Sequence, residues 1–420
     1  MASLRGDIDP LGGPGQVGAI PRGRGRSYGD AAHCSGGLVI ATDALKGIEL
    51  DRRSGRVRVG GGVTLGEILR ECVPQGFILP VVPGTQHVSV GGAIASDVHG
   101  KNHGSAGAFG AHVTALDLLS SSGELLSLTP ETPGGLFDAT LGGMGLTGVI
   151  TAAEIQLRPV RGALLAVDSD RVESLEQTLA LLSGPGGPHR VAWLDLLGPR
   201  PVRGIVTRAQ QLDDEAGAGA PTTPYRAAVP PGWPGWPLRP LTARAFNELR
   251  FRLAPRQERE RPLPFGPHMF PLDALGSWPR LYGASGFLQY QFVVPPEAVS
   301  TLEQVILHMR SIGLPSYLAI LKDMGDAGRG PLSFPIRGWT LALDLPRNAP
   351  GLWAALDHYD ELVTAAGGRV YLTKDSRLRR ETVAAMYPRL SEWRAVRDAA
   401  DPSGLWRSDM AIRTGLVAQR

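Results

Sequence analysis

The sequence predicts two domains of mixed strands and helices that do not form a Rossmann fold, and three observations carry this. The chain has 420 residues, too long for one ordinary core. Between Gly37 and Val73 strand-like and helical patterns alternate. Gly37 to Ile40 and Val57 to Val59 read as strands, and in Thr64 to Val73 the residues Leu65, Ile68, Leu69, Cys72 and Val73 share one helical face. Residues Gly143-Met-Gly-Leu-Thr-Gly148 match G-x-G-x-x-G, yet Val149, Thr151, Ala153, Ile155 and Leu157 alternate with a period of two. A dinucleotide fingerprint needs a strand before it and a helix after it. Here the strand comes after, so the match is not a Rossmann one.

Apolar residues make up 43% of the chain, enough to fill both cores, and the net charge of +3 with a pI near 9.0 does not argue for nucleic acid. Cys34 and Cys72 are the only cysteines, which excludes a disulfide framework or a thiolate metal cluster. Residues Met1 to Pro10 lack the apolar run of a signal peptide, and no later segment is long enough to span a bilayer. The expected location is cytoplasmic or peripheral at the cell membrane.

Val17 to Asp30 reads as a short apolar strand followed by a turn with Gly23, Gly25 and Gly29. Pro83 to His112 holds seven glycines, at 84, 91, 92, 100, 104, 107 and 110, together with Thr85, Ser89, Ser96 and Ser105. Bare backbone N–H groups and hydroxyls in such a run suit a pyrophosphate, so a nucleotide cofactor is expected; the plainer alternative is a set of turns between short strands. His99, Lys101 and His103 fall where a redox-active ring would sit. His99, His103 and His112 lie in glycine-rich backbone without a helix to align them, so no metal site is expected.

The second domain begins after Pro159. Val191 to Leu197 and Phe287 to Val294 read as strands, the latter with Gln289 and Gln291 on one face. Two aligned amides grip sugar hydroxyls or simply face solvent. Residues 213–240, with seven prolines and Trp233 and Trp236, read as a mobile loop. Residues 239–261 hold seven arginines against three glutamates, interleaved with Leu241, Phe246, Leu249, Phe251 and Leu253. That pattern suits an anionic membrane surface or a solvated helix packed by its apolar face.

Leu352 to Val363 has helical periodicity, Gly367 and Gly368 stop it, and Arg369 to Asp375 reads as a strand. Of 43 basic residues only Lys46, Lys101, Lys322 and Lys374 are lysines. Where an arginine-rich chain keeps a lysine, a compact ammonium serves where a guanidinium does not. For Lys46, in a surface turn, chance is the better account.

Four segments carry a resemblance: Arg22-Gly-Arg-Gly-Arg-Ser-Tyr-Gly-Asp30, Gly91-Gly-Ala-Ile-Ala-Ser-Asp-Val-His-Gly-Lys-Asn-His103, Gly142-Gly-Met-Gly-Leu-Thr-Gly148 and Tyr371-Leu-Thr-Lys-Asp-Ser376. They resemble the vanillyl-alcohol-oxidase class of FAD enzymes, and within it the decaprenylphosphoryl-β-D-ribose 2′-oxidase family, from about Ala19 to Leu416. The resemblance implies an α+β fold. It divides into a two-part, PCMH-type FAD-binding domain over 1–159, N-terminally shortened relative to the family, a substrate domain with an antiparallel sheet over 160–370, and a segment 371–420 that returns to the FAD domain.

It also implies noncovalent FAD, since Tyr28 stands where many relatives carry a histidine bonded to the cofactor. Cofactor contacts are implied for Arg22, Gly23, Arg24, Gly25, Arg26, Ser27, Tyr28, Gly29 and Asp30, and for Gly84, Ser89, Val90, Gly91 and Gly92. They extend to Ser96, Asp97, Val98 and His99, and to Gly148, Val149, Ile150 and Tyr371. Tyr282, Gln289, Gln291 and Lys322 are implied to face the substrate, Lys322 meeting its phosphate. In the implied reaction, hydride passes from C2′ of a polyprenyl-phosphoryl ribose to flavin N5 and the hydroxyl loses its proton. Lys374 and His99 are the two catalytic candidates, and the sequence does not divide their roles. A quinone or O2 takes the electrons, and a separate NADH-dependent keto-reductase completes epimerisation to the arabinose donor for arabinan. Ala342 stands where close relatives commonly carry cysteine; hydride transfer needs no thiol. Two other readings stay open: a sugar or alditol oxidase acting on a small soluble polyol, and a non-catalytic protein with a degraded flavin site.

Overall fold

The structure is a computed structural model that describes residues 18–212, 219–235 and 238–418. Met1 to Pro10, and Trp236 of the proline-rich stretch, lie outside the described residues.

Five strands, ordered Ile48–Asp51, Arg56–Gly60, Val149–Gln156, Val113–Leu119 and Leu125–Leu128, pair antiparallel in one sheet. The period of two after Gly148 is the central one of these. Helix Leu65–Cys72 begins with a capping box: Thr64 Oγ1 accepts from the Glu67 N–H at 3.2 Å, and a Glu67 carboxylate oxygen accepts from the Thr64 N–H at 2.7 Å. Its face of Leu65, Ile68, Leu69 and Cys72 is buried in one cluster with Val57, Val59, Ile94, Leu118 and Ile155. A parallel pair, Ala19–Arg22 with Leu38–Ala41, flanks this sheet's loops.

Eight antiparallel strands form the second sheet, in the order Gln257–Pro264, Leu164–Val172, Arg203–Gln211, His189–Asp195, Leu318–Met324, Gly338–Pro346, Phe287–Val294 and Arg369–Val370. Helices Leu175–Ser183, Ser300–Ser311 and Leu352–Ala365 pack on one face, where Leu182, Ala192, Leu194, Val206, Phe292, Ile306, Leu321, Leu341, Leu343 and Leu356 share a core. Side chains alternate along each strand, so Val191, Trp193, Ile320, Lys322, Gln289 and Gln291 fall on the other face, which walls a cavity.

The strand expected over 369–375 ends at Val370, and residues Leu372–Lys374 form a 3₁₀ turn. Tertiary contacts override the local pattern. The Tyr371 hydroxyl donates to Ser96 O at 2.8 Å, and the Tyr28 N–H donates to Thr373 O at 3.1 Å, drawing the chain off the sheet edge toward the N-terminal turn. Beyond it the chain returns to the first strand: Ala19 N–H donates to Leu405 O at 2.8 Å, and Arg413 pairs with Asp30 at 2.7 Å and Asp375 at 2.9 Å.

Of the proline-rich stretch, residues 219–235 are tied to the body. Gln86 exchanges hydrogen bonds with the Thr223 backbone at 2.9 and 3.1 Å, and Ala227–Ala228 pairs with Leu275–Gly276. The basic stretch is helix Pro240–Leu253 followed by the edge strand Gln257–Pro264. Phe251 is buried under the Arg171 and Arg203 guanidinium groups, 5.2 and 4.7 Å from its ring centroid. Leu241, Phe246, Leu249 and Leu253 are 56–78% exposed on the outer side of the same helix. Among the described residues no helix is long and apolar enough to cross a membrane.

Candidate active site

Between the two sheets lies a cavity of about 1230 Å³, larger than a single drug-sized ligand requires. The turn after the first strand, the glycine run and the open face of the eight-stranded sheet supply its walls. Arg22, Gly23, Arg24, Gly25, Arg26, Ser27, Tyr28, Gly84, Ser89, Gly91, Gly92, Ser96, Val98, His99, Gly148, Ile150 and Tyr371 line it, and so do Gln289, Gln291, Lys322 and Lys374. A Cβ at Gly23 would lie 2.0 Å from Ser89 Oγ, so a side chain there would displace the hydroxyl that caps the helix Val90–Ala95 by accepting from the Gly92 N–H.

Six expected site residues lie outside the wall. Val90 and Val149 are fully buried in the core. Asp97 is buried and accepts hydrogen bonds from the Gly110 N–H at 2.8 Å and the Ser333 hydroxyl, bracing the loop before His99. Gly29 sits beneath Asp375 O and Asp30 binds Arg413. Tyr282 stacks behind Phe287, ring centroids 4.2 Å apart, with its hydroxyl 3.5 Å from Asp344. Conversely, Trp193, Ile205, Arg250 and His268 line the cavity without any motif to announce them; only the strand alternation around Val191 pointed toward Trp193.

Three of the four lysines, Lys101, Lys322 and Lys374, line this one cavity. The fourth, Lys46, pairs with Glu67 at 2.9 Å. Burial, reinforced by Lys322, outweighs Asp344 and pulls Lys374 down to about 7. Burial lowers Lys322 to about 8 despite Asp323, and burial with Lys322 nearby lowers Lys101 to about 7. The Lys374 ammonium lies 3.9 Å from the Tyr28 ring centroid. Asp344 is raised by burial to about 6, held back by Gln289 and Lys374.

A hydrogen-bond chain fixes the tautomer of His99. Thr340 Oγ1 donates to Phe292 O at 2.9 Å, so it accepts from Gln291 Nε2 at 3.1 Å. That amide nitrogen also lies 2.9 Å from His99 Nε2 and donates to it. The ring proton therefore resides on Nδ1, which is buried without a partner among the described residues. Burial, with Lys322, His103 and Lys374 near, keeps the ring neutral, well below its usual range.

Residues 16–129 match the FAD binding domain family, and residues 349–414 match the D-arabinono-1,4-lactone oxidase family. The chain is 40% identical over 417 residues to decaprenylphosphoryl-beta-D-ribose oxidase of Mycolicibacterium smegmatis, covering 96% of this chain and 90% of that protein. The chain belongs to the decaprenylphosphoryl-β-D-ribose oxidase family. It is also 39% identical over 375 residues to a Streptomyces coelicolor protein, spanning all of that protein. Against this, alditol oxidase of a Streptomyces species is matched at 30% identity over 144 residues, 34% of each chain. As a member of the decaprenylphosphoryl-β-D-ribose oxidase family the chain is an FAD-dependent oxidoreductase. The residues present fit that cofactor: Arg22, Arg24 and Arg26 with the glycine-lined backbone suit the pyrophosphate, and the unpartnered Nδ1–H of His99 is a donor awaiting an acceptor in the cavity.

Proposed function

We propose that the chain oxidises the 2′-hydroxyl of a polyprenyl-phosphoryl-β-D-ribose to the 2′-ketone, the first half of an epimerisation that yields the arabinose donor for cell-wall arabinan. The observation that carries this reading is the gathering of three of the four lysines on one cavity beside the FAD cradle. Of the three, Lys322, lowered only to about 8, stays largely charged at neutral pH and favours an anionic sugar over a neutral polyol.

Held noncovalently by the glycine-lined wall and Arg22, Arg24 and Arg26, FAD would supply the hydride acceptor for C2′. Lys374 takes the hydroxyl proton, because an amine held near 7 is available as a base at neutral pH. Asp344 steadies the ammonium so formed. His99, with Nε2 engaged by Gln291, donates through Nδ1 instead of accepting. Gln289 and Gln291 hold the sugar from adjacent outward positions of one strand, and Lys322 meets the phosphate. Electrons leave to a quinone or O2, and a separate NADH-dependent keto-reductase acts on the ketone. Anaerobic mixing of the yellow protein with a polyprenyl-phosphoryl ribose should bleach the flavin absorbance, while free polyols should not. Persistent colour with the lipid sugar would sink this substrate, and bleaching by polyols would move the site to alditol oxidation.

The Pro240–Leu253 helix is proposed to rest on an anionic membrane. Its exposed Leu241, Phe246, Leu249 and Leu253 share a face flanked by Arg239 and Arg252. The protein should sediment with anionic vesicles and much less with neutral ones, and the double substitution Phe246→Glu, Leu249→Glu should remove that binding. Vesicle binding that survives the double substitution would exclude this face.

A further inference from the structure

We infer that the polyprenyl tail leaves the sugar site across the open face of the eight-stranded sheet and emerges at the Pro240–Leu253 helix. This rests on the substrate proposed above. Strand register draws the path: Gln291 lies opposite Ala342, Ala342 opposite Ile320, Ile320 opposite Trp193, and Trp193 opposite Ile205. These five side chains form one row across five strands, roughly 19 Å long at the usual strand spacing. Gln291, at one end, touches His99; every later member is apolar. In the neighbouring row Lys322 stands opposite Thr340, on the same strand as Ile320, so its ammonium lies beside the start of the apolar part.

All five residues line the cavity that also holds Lys374. At the far end the Arg250 guanidinium lies 4.3 Å over the Trp193 ring. Arg250 belongs to the helix whose outer side carries Leu241, Phe246, Leu249 and Leu253. The order along the path is therefore sugar amides, phosphate-binding ammonium, apolar row, and a helix that lays Arg250 over the end of the row and carries its exposed apolar side chains on the outside. A polyprenyl-phosphoryl sugar has the same order of groups, and burying its hydrocarbon is favourable in proportion to the area covered. A soluble sugar phosphate gains nothing from the row.

The test compares steady-state oxidation of two polyprenyl-phosphoryl riboses by the flavin-loaded enzyme, one with a tail that ends short of Ile205 and one that passes it. The long tail should be preferred by at least about tenfold in kcat/KM, carried by KM. Ile205→Asp, which puts a charge in the path, should erase that preference, and Ile205→Phe, which narrows the path without charge, should reduce it; flavin content and short-tail kcat report that each variant is folded. Equal kcat/KM for the two tails, or a preference unmoved in both variants, overturns the route and leaves 2′-oxidation standing. Oxidation of neither substrate overturns the activity and the route with it.

Discussion

Lys374→Met should leave the protein yellow and lower kcat by about 10³-fold. Methionine keeps the length of the side chain and removes the nitrogen, so the turn at Leu372–Lys374 stays packed while the proton acceptor is lost. Loss of a general base costs about 10²–10⁴-fold. The sign of the pH dependence follows from the same residue. A base must be neutral to accept a proton, so kcat/KM should rise with pH through about 7, where Lys374 titrates. Asp344 raises that value and Lys322 lowers it. Asp344→Asn should therefore move the rise to lower pH, and Lys322→Met should move it to higher pH even as it weakens substrate binding. A flat profile together with a nearly active Lys374→Met would return the proton to His99.

Gly29→Ala should yield protein with little or no flavin. A Cβ there would stand 1.8 Å from the Asp375 carbonyl oxygen and 2.8 Å from its carbon. Both are backbone atoms that cannot rotate away, so the two segments must part by more than an ångström. One segment brings Arg22, Arg24 and Arg26 to the cofactor cradle; the other brings Lys374. The hydrogen bond from Tyr28 N–H to Thr373 O and the Arg413 clamp on Asp30 and Asp375 join them, so separation should disturb the proposed cradle and the proposed base together. The visible-to-protein absorbance ratio of the purified variant is the measurement. An unchanged ratio would mean that the junction tolerates the shift.

The glycine-lined part of the cavity wall was legible as the glycines of the turn after Arg22 and of the run after Pro83; Gly100 is held to glycine by the Val82 carbonyl oxygen, 2.8 Å from a Cβ, whereas nothing lies within 4 Å of a Cβ at Gly84. The amide pair of Gln289 and Gln291 was legible through its period of two. The apolar row was not. It depends on pairings between strands far apart in the chain, such as Trp193 with Ile320, and a one-residue slip would turn the whole set to the other face. Lys374 was read as strand-borne because Arg369 to Asp375 has an extended pattern; what bends it is the distant carbonyl of Ser96. The tautomer of His99 was not legible in the sequence because it is set by partners, here Thr340 and Gln291, not by spacing.

Gathering lysine inside leaves the exterior with few primary amines. An amine-directed reagent too bulky for the cavity would find Lys46 as its one lysine target, partly exposed beside Glu67. A small acylating reagent would meet Lys101 and Lys374, both substantially unprotonated just above neutrality and hence nucleophilic. Bulky tags thus reach one lysine, Lys46, besides the α-amine of the chain, while small ones become a chemical footprint of whether the cavity is filled.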